Sequence, residues 1–163
     1  MAQYRVVSLS KEVADQVRKT HKAPDYGHPA FTEVAGGYGP CRECLRTFQV
    51  GQENRILFTY DPFRGVEKVP LPGPIFIHEQ PCEPYPEKAG YPRDLETHAA
   101  VFNAFANGQK LVERVVLSAE ADKASALDEL FHRPDVDYVE VRDAEAGCFD
   151  FRAERVAEKV FKC

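Results

Sequence analysis

The sequence has no run of basic residues longer than two and no long apolar stretch. Its 163 residues include 26 acidic and 21 basic side chains, for a formal net charge of -5, so the positive surface of a nucleic-acid-binding protein is not indicated. No apolar segment approaches the roughly 18 residues that a membrane-spanning helix needs. Residues 1–10 lack the basic segment and hydrophobic block of a secretion signal. We therefore expect a cytoplasmic protein with neither nucleic acid nor a membrane as its partner.

Several common catalytic signatures are missing as well. The chain has no G-x-S-x-G segment and no H-E-x-x-H segment, which removes the usual serine hydrolase and metalloprotease patterns. The glycine-rich stretch Gly36-Gly37-Tyr38-Gly39 lacks the spacing that places backbone N–H groups around phosphates. The sequence therefore leaves open whether the protein is an enzyme.

The pattern of apolar residues predicts a mixed fold. The chain length, with 44% apolar and 29% charged residues, is typical of one globular domain, here residues 1–163. Periods of two and of 3.6 residues predict strands and two helices without regular βαβ alternation. We expect an α+β fold, a mostly antiparallel twisted β-sheet with two packed helices. The predicted strands are 3–9, 54–61, 75–78, 101–106, 110–118, 136–141 and 148–152, and the helices follow Ser10 and precede Pro134.

Glycine and proline mark the connections between these elements. Residues 21–40 are rich in both and have no periodicity, so we predict a long irregular Gly/Pro-rich loop. Asn107-Gly108 lies between two predicted strands, and a two-residue turn with positive φ at both positions suits Asn followed by Gly. This dipeptide predicts a β-hairpin.

Cysteine is well represented. The five cysteines form an odd set in a chain without a secretion signal, which argues against an extracellular disulfide scaffold. We therefore expect them to be free thiols or metal ligands. They are Cys41, Cys44, Cys82, Cys148 and Cys163.

Four separated motifs carry a family resemblance. They are Gly39-Pro40-Cys41-Arg42, the segment 45–51 leading into 56–60, Gly73-Pro74-Ile75-Phe76-Ile77-His78, and the segment 139–151 with Gly147-Cys148. In this order, and in a chain of this length, they resemble domain-of-unknown-function family 1203. The resemblance implies a compact bacterial-type domain built around a Pro-Cys-Arg segment and a Gly-Cys segment. Those segments correspond here to Cys41, Arg42 and Cys148, and the resemblance implies no activity for them.

The leading functional hypothesis is an enzyme or binding protein for a small organic molecule, with a pocket centred on the thiol of Cys41. The cationic side chain of Arg42 would favour the nucleophilic thiolate at Cys41. His78 is the candidate general base, and Glu79 is its candidate orienting partner. The sheet would form the floor of this pocket, and the loop 21–40 would cover it.

Three residues form the predicted substrate-binding set of this pocket. Arg42 could hold a carboxylate, because its planar guanidinium pairs with two oxygens at once. Tyr38 lies in the glycine-rich approach to the pocket, and Cys148 belongs to the Gly-Cys segment. The small-molecule ligand itself is not identified by these residues.

The alternative hypothesis is a noncatalytic interaction module with a structural zinc site. Cys41 and Cys44 have the C-x-x-C spacing that lets two sulfurs reach one ion from a tight turn, and His78 and Cys82 could complete a tetrahedron. Zinc is accordingly the one cofactor that the sequence suggests. A third interpretation is that the cysteines only pack as small hydrophobic residues, as Cys148 could do beside neighbouring phenylalanines.

Overall fold

The computed structural model describes residues 3–65 and 69–156, and Cys163 lies outside these ranges. The described residues form eight strands and two helices, which confirms the predicted α+β fold. The strands are β1 Tyr4–Val7, β2 Phe31–Val34, β3 Asn54–Tyr60, β4 Gly73–His78, β5 Ala100–Ala106, β6 Lys110–Leu117, β7 Tyr138–Asp143 and β8 Phe149–Arg155. The helices are α1 Lys11–Thr20 and α2 Lys123–His132, and a short 3-10 turn covers Arg93–Leu95.

The larger sheet contains five strands in the order β1-β8-β7-β5-β6, and every neighbouring pair is antiparallel. Helix α2 buries Leu127, Leu130 and Phe131, whose spacing places them on one helical face. This face shares a hydrophobic cluster with Phe102 and Phe151 of the sheet. The three apolar residues whose spacing predicted this helix therefore form the face that it buries against the sheet.

The smaller sheet contains three antiparallel strands in the order β2-β3-β4. Helix α1 begins where the Ser10 hydroxyl accepts a hydrogen bond from the Val13 N–H at 3.2 Å, which satisfies one of the free donors of the first turn. Val13 and Val17 then share a second hydrophobic cluster with Ile56 and Ile77 of the sheet. Each sheet thus has its own helix, where one sheet with two helices was expected.

The predicted irregular loop 21–40 is wrong in one part, because strand β2 lies within it. All four residues of β2 are exposed, so the strand has no alternation of buried and exposed side chains that a sequence pattern could reveal. Backbone pairing with β3, from Phe31 opposite Leu57 to Val34 opposite Asn54, holds it in the sheet. Its position depends on hydrogen bonds to a distant segment and not on its own side chains.

The predicted hairpin is present, but its turn has three residues and not two. Ala106 pairs with Lys110, and the register shifts after Ala104, where β6 carries one extra residue. Gly108 has φ 78°, whereas Asn107 is not among the described non-glycine residues with positive φ. The bulge shifts the pairing by one residue, so the connection closes as a three-residue loop.

One short turn connects the two hydrophobic clusters. Cys41 belongs to the cluster of the smaller sheet, and Leu45 belongs to the cluster of the larger sheet. Backbone hydrogen bonds join the turn to three other segments. The Arg42 N–H donates to Phe76 O at 2.9 Å, and Arg42 O accepts from the Leu9 N–H at 2.8 Å. Glu43 O accepts from the Tyr85 N–H. Residues 41–45 are therefore held firmly between the sheets. Among the described residues, no helix is long and apolar enough to cross a membrane.

Candidate metal centre

Four side chains meet at one end of the smaller sheet. Cys41 and Cys44 come from the connecting turn, His78 is the last residue of β4, and Cys82 follows in the irregular segment after β4. Each offers one donor atom, and these atoms all lie within 4.8 Å of one another. The four residues are therefore close enough to hold one metal ion.

The shortest contacts in this group match the edges of a zinc tetrahedron. The Sγ atoms of Cys41 and Cys82 are 3.7 Å apart, and Cys44 Sγ is 3.5 Å from His78 Nδ1. Zn–S bonds of about 2.3 Å and Zn–N bonds of about 2.1 Å, at tetrahedral angles, separate two sulfurs by about 3.8 Å and a sulfur and a nitrogen by about 3.6 Å. An ion could therefore enter with little movement of these two pairs.

Local backbone geometry holds the two cysteines of the turn on the same side. The Leu45 N–H donates to Cys41 O at 2.8 Å, and Leu45 itself has a left-handed conformation with φ 59°, which is uncommon for a non-glycine residue. The His78 backbone N–H donates to Cys41 Sγ at 3.3 Å. Cys41 is fully buried, so this sulfur has its position and its hydrogen bond set by the fold.

His78 is oriented by a carboxylate and by an aromatic ring. Its Nε2 lies 3.1 Å from Glu53 Oε2, while its Nδ1 faces Cys44. The Phe48 ring packs against the imidazole with their centroids 4.6 Å apart. A histidine that donates one ring N–H to a carboxylate keeps its other nitrogen free for a metal. The contact with Glu53 therefore selects Nδ1 as the donor atom.

Hydrogen bonds within the group distribute its protons unequally. Burial raises the pKa of Cys41, but hydrogen bonds from Cys44, Cys82 and His78 outweigh this effect and lower it below the ordinary thiol value. Burial lowers the pKa of His78, yet its hydrogen bonds to Cys41 and Cys44 raise it to about 10. The pKa of Cys82 is raised, chiefly by its hydrogen bond to Cys41. Negative charge thus concentrates on Cys41, and thiolate is the form in which cysteine binds metal. His78 and Cys82 would release their protons on binding an ion, because metals bind neutral imidazole and thiolate.

A buried ion pair lies against Cys82. Arg18 of α1 donates to Glu43 Oε1 at 2.6 Å and contacts Cys82 Sγ at 3.6 Å through the same Nη2. Cys82 Sγ is also 3.2 Å from Glu43 Oε1. Glu43 is fully buried, and its Oε2 has no hydrogen-bond partner among the described residues. A charged pair this close makes helix α1 part of the surroundings of the site.

An open groove of about 950 Å³ runs over one side of the group. Cys44, His78 and Cys82 line it, together with Arg46 and Tyr85, whereas Cys41 does not. The remaining lining residues come from segments 47–53 and 80–94, so the loop 21–40 does not cover this groove. Solvent therefore reaches three of the four donors, and the fourth lies behind them.

The sequence model of the family described as Protein of unknown function (DUF1203) matches residues 38–155. The chain belongs to this family. The predicted resemblance is thereby confirmed, and the match includes all four donor residues, while β1, α1 and β2 lie before it. No curated protein and no solved structure matches the chain.

In this DUF1203 protein, Arg42 points into the fold. Its Nε donates to Phe149 O at 2.7 Å, its Nη1 donates to Pro40 O, and its Nη2 lies 3.3 Å from Asp150 Oδ1. Burial, offset in part by Arg42, raises the pKa of Asp150 to about 6. Arg42 shares the connecting turn with Cys41 but does not line the groove. Its contacts join the turn to strand β8.

The described contacts of the other predicted site residues are not with the four donors. Cys148 lines a separate cavity of about 110 Å³ with Arg142 and Tyr60. The Tyr38 ring stacks on His98, with centroids 3.5 Å apart. The side chain of Glu79, which was expected to orient His78, accepts a hydrogen bond from Asn54 at 3.4 Å. The fold of this DUF1203 protein thus gathers the predicted metal ligands, whereas none of the predicted substrate-binding residues lines the groove beside them.

Three residues around the site were not singled out from the sequence of this family member. Glu53 precedes β3, and only the pairing of β3 with β4 brings it to His78. Arg18 follows the apolar stripe of α1, and Glu43 lies inside the C-x-x-C motif itself. The position of Glu43 between two cysteines was the one local signal, because a buried turn forces its carboxylate to find a cation.

Proposed function

We propose that this protein is a zinc-binding domain in which Cys41, Cys44, His78 and Cys82 hold one structural Zn²⁺. The observation that carries the proposal is the convergence of four donor atoms within 4.8 Å, with two contacts at tetrahedral edge lengths. Four protein ligands fill the coordination of zinc, whereas catalytic zinc sites keep one position open for water or substrate. The proposed role is therefore noncatalytic.

The donor set supports zinc over other common ions. Thiolate and imidazole suit zinc, while calcium, magnesium and manganese prefer carboxylate, carbonyl and water oxygens. Two carboxylates contact donor residues. Glu43 lies 3.2 Å from Cys82 Sγ and is paired with Arg18, and Glu53 contacts His78 Nε2. A carboxylate in that position orients a histidine ligand.

Zinc would add direct bonds between parts of the chain that lie far apart in the sequence. The segment after Cys82 contains Pro84 and Pro86 and no regular structure up to the 3-10 turn. A metal bond to Cys82 would fix this segment to strand β4 and to the connecting turn. The proposed result is a rigid surface around the groove that serves as an interaction module.

Elemental analysis of purified protein tests the proposal. We expect about one zinc per chain for the wild type, and less than one-tenth of that for Cys44→Ser and for Cys82→Ser. The matched control is Cys148→Ser, which removes a thiol that lies in a different cavity and should leave the zinc content unchanged. Wild-type protein without zinc, and unable to take it up after reduction and refolding with the ion, would refute the proposal.

The groove supports a second candidate function, the small-molecule site centred on a thiol. Its specific support is that Cys44, His78 and Cys82 line an open groove beside the cation Arg46. In this case His78 remains the proposed base, and Cys44, which lines the groove, would be the reactive thiol in place of buried Cys41. Arg42, with its guanidinium turned inward, would act by positioning Cys41.

Alkylation with iodoacetamide, followed by peptide mass spectrometry, separates the two functions. A zinc-bound site protects Cys44 and Cys82, so Cys148 should be modified first and chelation should then expose the other two. A free reactive thiol predicts rapid modification of Cys44 in untreated protein, with no effect of a chelator. The second pattern favours the small-molecule site over zinc.

A further inference from the structure

We infer that Arg18 is a positioning residue of the metal centre, which holds three ligand-bearing segments in register through a single guanidinium. The inference rests on the proposed zinc site. Arg18 lies on α1, outside the segments that supply ligands, and no pattern of cysteine and histidine spacing points to it. Its role follows from the atoms that its side chain contacts.

Each ligand-bearing segment receives a hydrogen bond from this side chain. Nε donates to the backbone oxygen of His78 at 3.0 Å. Nη2 donates to Glu43 Oε1 at 2.6 Å, inside the C-x-x-C turn, and contacts Cys82 Sγ at 3.6 Å. Nη1 donates to Asp15 Oδ1 at 2.9 Å, one turn back along the helix. The planar fork of arginine can bridge these groups at once, which a lysine ammonium cannot do with the same geometry.

The guanidinium has little freedom to leave this position. The Arg18 side chain is 9% exposed and its partner Glu43 is fully buried. Helix α1 is anchored by Val13 and Val17 in the hydrophobic cluster of the smaller sheet, so the backbone beneath Arg18 is fixed. The contacts are therefore set before any ion arrives, as is expected of residues that orient metal ligands.

The positive charge of Arg18 also stabilises the metal centre. Zinc with three thiolates and a neutral imidazole carries one net negative charge, and the Glu43 carboxylate lies 3.2 Å from Cys82 Sγ. Without a cation, two negative groups would share a buried site, which low dielectric makes costly. Arg18 contacts both of them and offsets this repulsion.

The test compares Arg18→Gln with wild type in zinc affinity, measured by competition with a chromogenic chelator, and in the absorption spectrum of the Co²⁺-substituted protein. We expect a loss of affinity of about 10–100-fold, the usual effect of removing a group that orients a metal ligand. We also expect the sulfur-to-cobalt charge-transfer band to move to longer wavelength, because a thiolate without its N–H donor gives up an electron more easily. Arg18→Lys keeps the charge but loses the planar guanidinium, so its zinc affinity and its Co²⁺ band should lie between those of wild type and Arg18→Gln.

The matched control is Lys19→Gln, which removes one positive charge from the next, exposed position of the same helix and should change neither readout. Unchanged affinity and an unchanged spectrum in folded Arg18→Gln would overturn the inference while leaving the zinc site intact. Wild type that binds neither Zn²⁺ nor Co²⁺ would instead overturn the proposed function, and this inference with it.

A second variant covers the case in which Arg18→Gln does not fold because Glu43 is left unpaired. Arg18→Met combined with Glu43→Met removes the whole ion pair at similar volume, a change that buried ion pairs often tolerate. We expect this variant to fold, to bind zinc at least tenfold more weakly than wild type, and to show the shifted Co²⁺ band. Wild-type affinity together with the wild-type band would contradict the positioning role.

Discussion

His78 Nε2 lies 3.1 Å from Glu53 Oε2, and this contact decides which ring nitrogen faces the thiols. Strand β4 ends at His78, and strand β3 begins one residue after Glu53. Because the two strands pair antiparallel, with Arg55 opposite His78, the carboxylate arrives beside the imidazole at the edge of the sheet. Glu53 therefore orients the proposed histidine ligand from the neighbouring strand.

We expect Glu53→Gln to weaken zinc binding by about 10–100-fold, since the amide no longer provides a charged acceptor for the histidine N–H. Competition with a chromogenic chelator measures the change. The control is Glu113→Gln, which removes another half-exposed carboxylate, one that lies on β6 and pairs with Arg133. Equal affinity of Glu53→Gln and wild type would show that the carboxylate does not orient the ligand.

Removal of the metal should destabilise the fold. Zinc at about 100 times its Kd stabilises by about 2.7 kcal/mol, which for a chain of this size corresponds to a Tm higher by about 5–10 °C. We expect EDTA to lower the Tm of wild type by that amount in differential scanning calorimetry. The Cys82→Ser variant should already have the lower Tm and show no response to EDTA. A wild-type Tm that EDTA leaves unchanged speaks against a structural ion.

Stability should depend on pH through Asp150. Burial raises the pKa of Asp150 to about 6 in the folded protein, from an ordinary value of 3.8. Between these values the folded state binds more protons than the unfolded state, so the free energy of unfolding falls as pH rises. Relative to Asp150→Asn, wild type should lose on the order of 1–3 kcal/mol between about pH 4 and pH 7. Urea unfolding across this range measures the difference, and the opposite slope would be inconsistent with a raised pKa.

The hairpin turn offers a test of the fold away from the site. Gly108 has φ 78°, a conformation that costs residues with a Cβ atom about 1–2 kcal/mol. We expect Gly108→Ala to lower the free energy of unfolding by that amount in urea titrations. Gly36→Ala serves as the control, because Gly36 has no positive φ and its added Cβ would meet nothing within 4 Å. Equal effects of the two substitutions would argue against a left-handed Gly108.

The sequence by itself determined the elements whose side chains repeat with a regular period. The stripe of α1, its Ser10 cap and the Leu127, Leu130 and Phe131 face of α2 are local patterns, because neighbouring turns of a helix bury the same side. The C-x-x-C pair is also a local pattern, because two cysteines of one turn lie close together without help from the rest of the fold. Family membership could also be predicted from the sequence, because each motif is a contiguous segment.

Only the tertiary structure decided which residues complete the site. Cys82 is 41 residues from Cys41 and Arg18 is 60 from His78, and such distances close only when two strands and a helix have packed. The same packing turned Arg42 inward to Asp150 and placed Cys148 in another cavity. Strand β2 could not be predicted from its side chains, because all its residues are exposed. Its place depends on backbone hydrogen bonds, which every residue type except proline can donate.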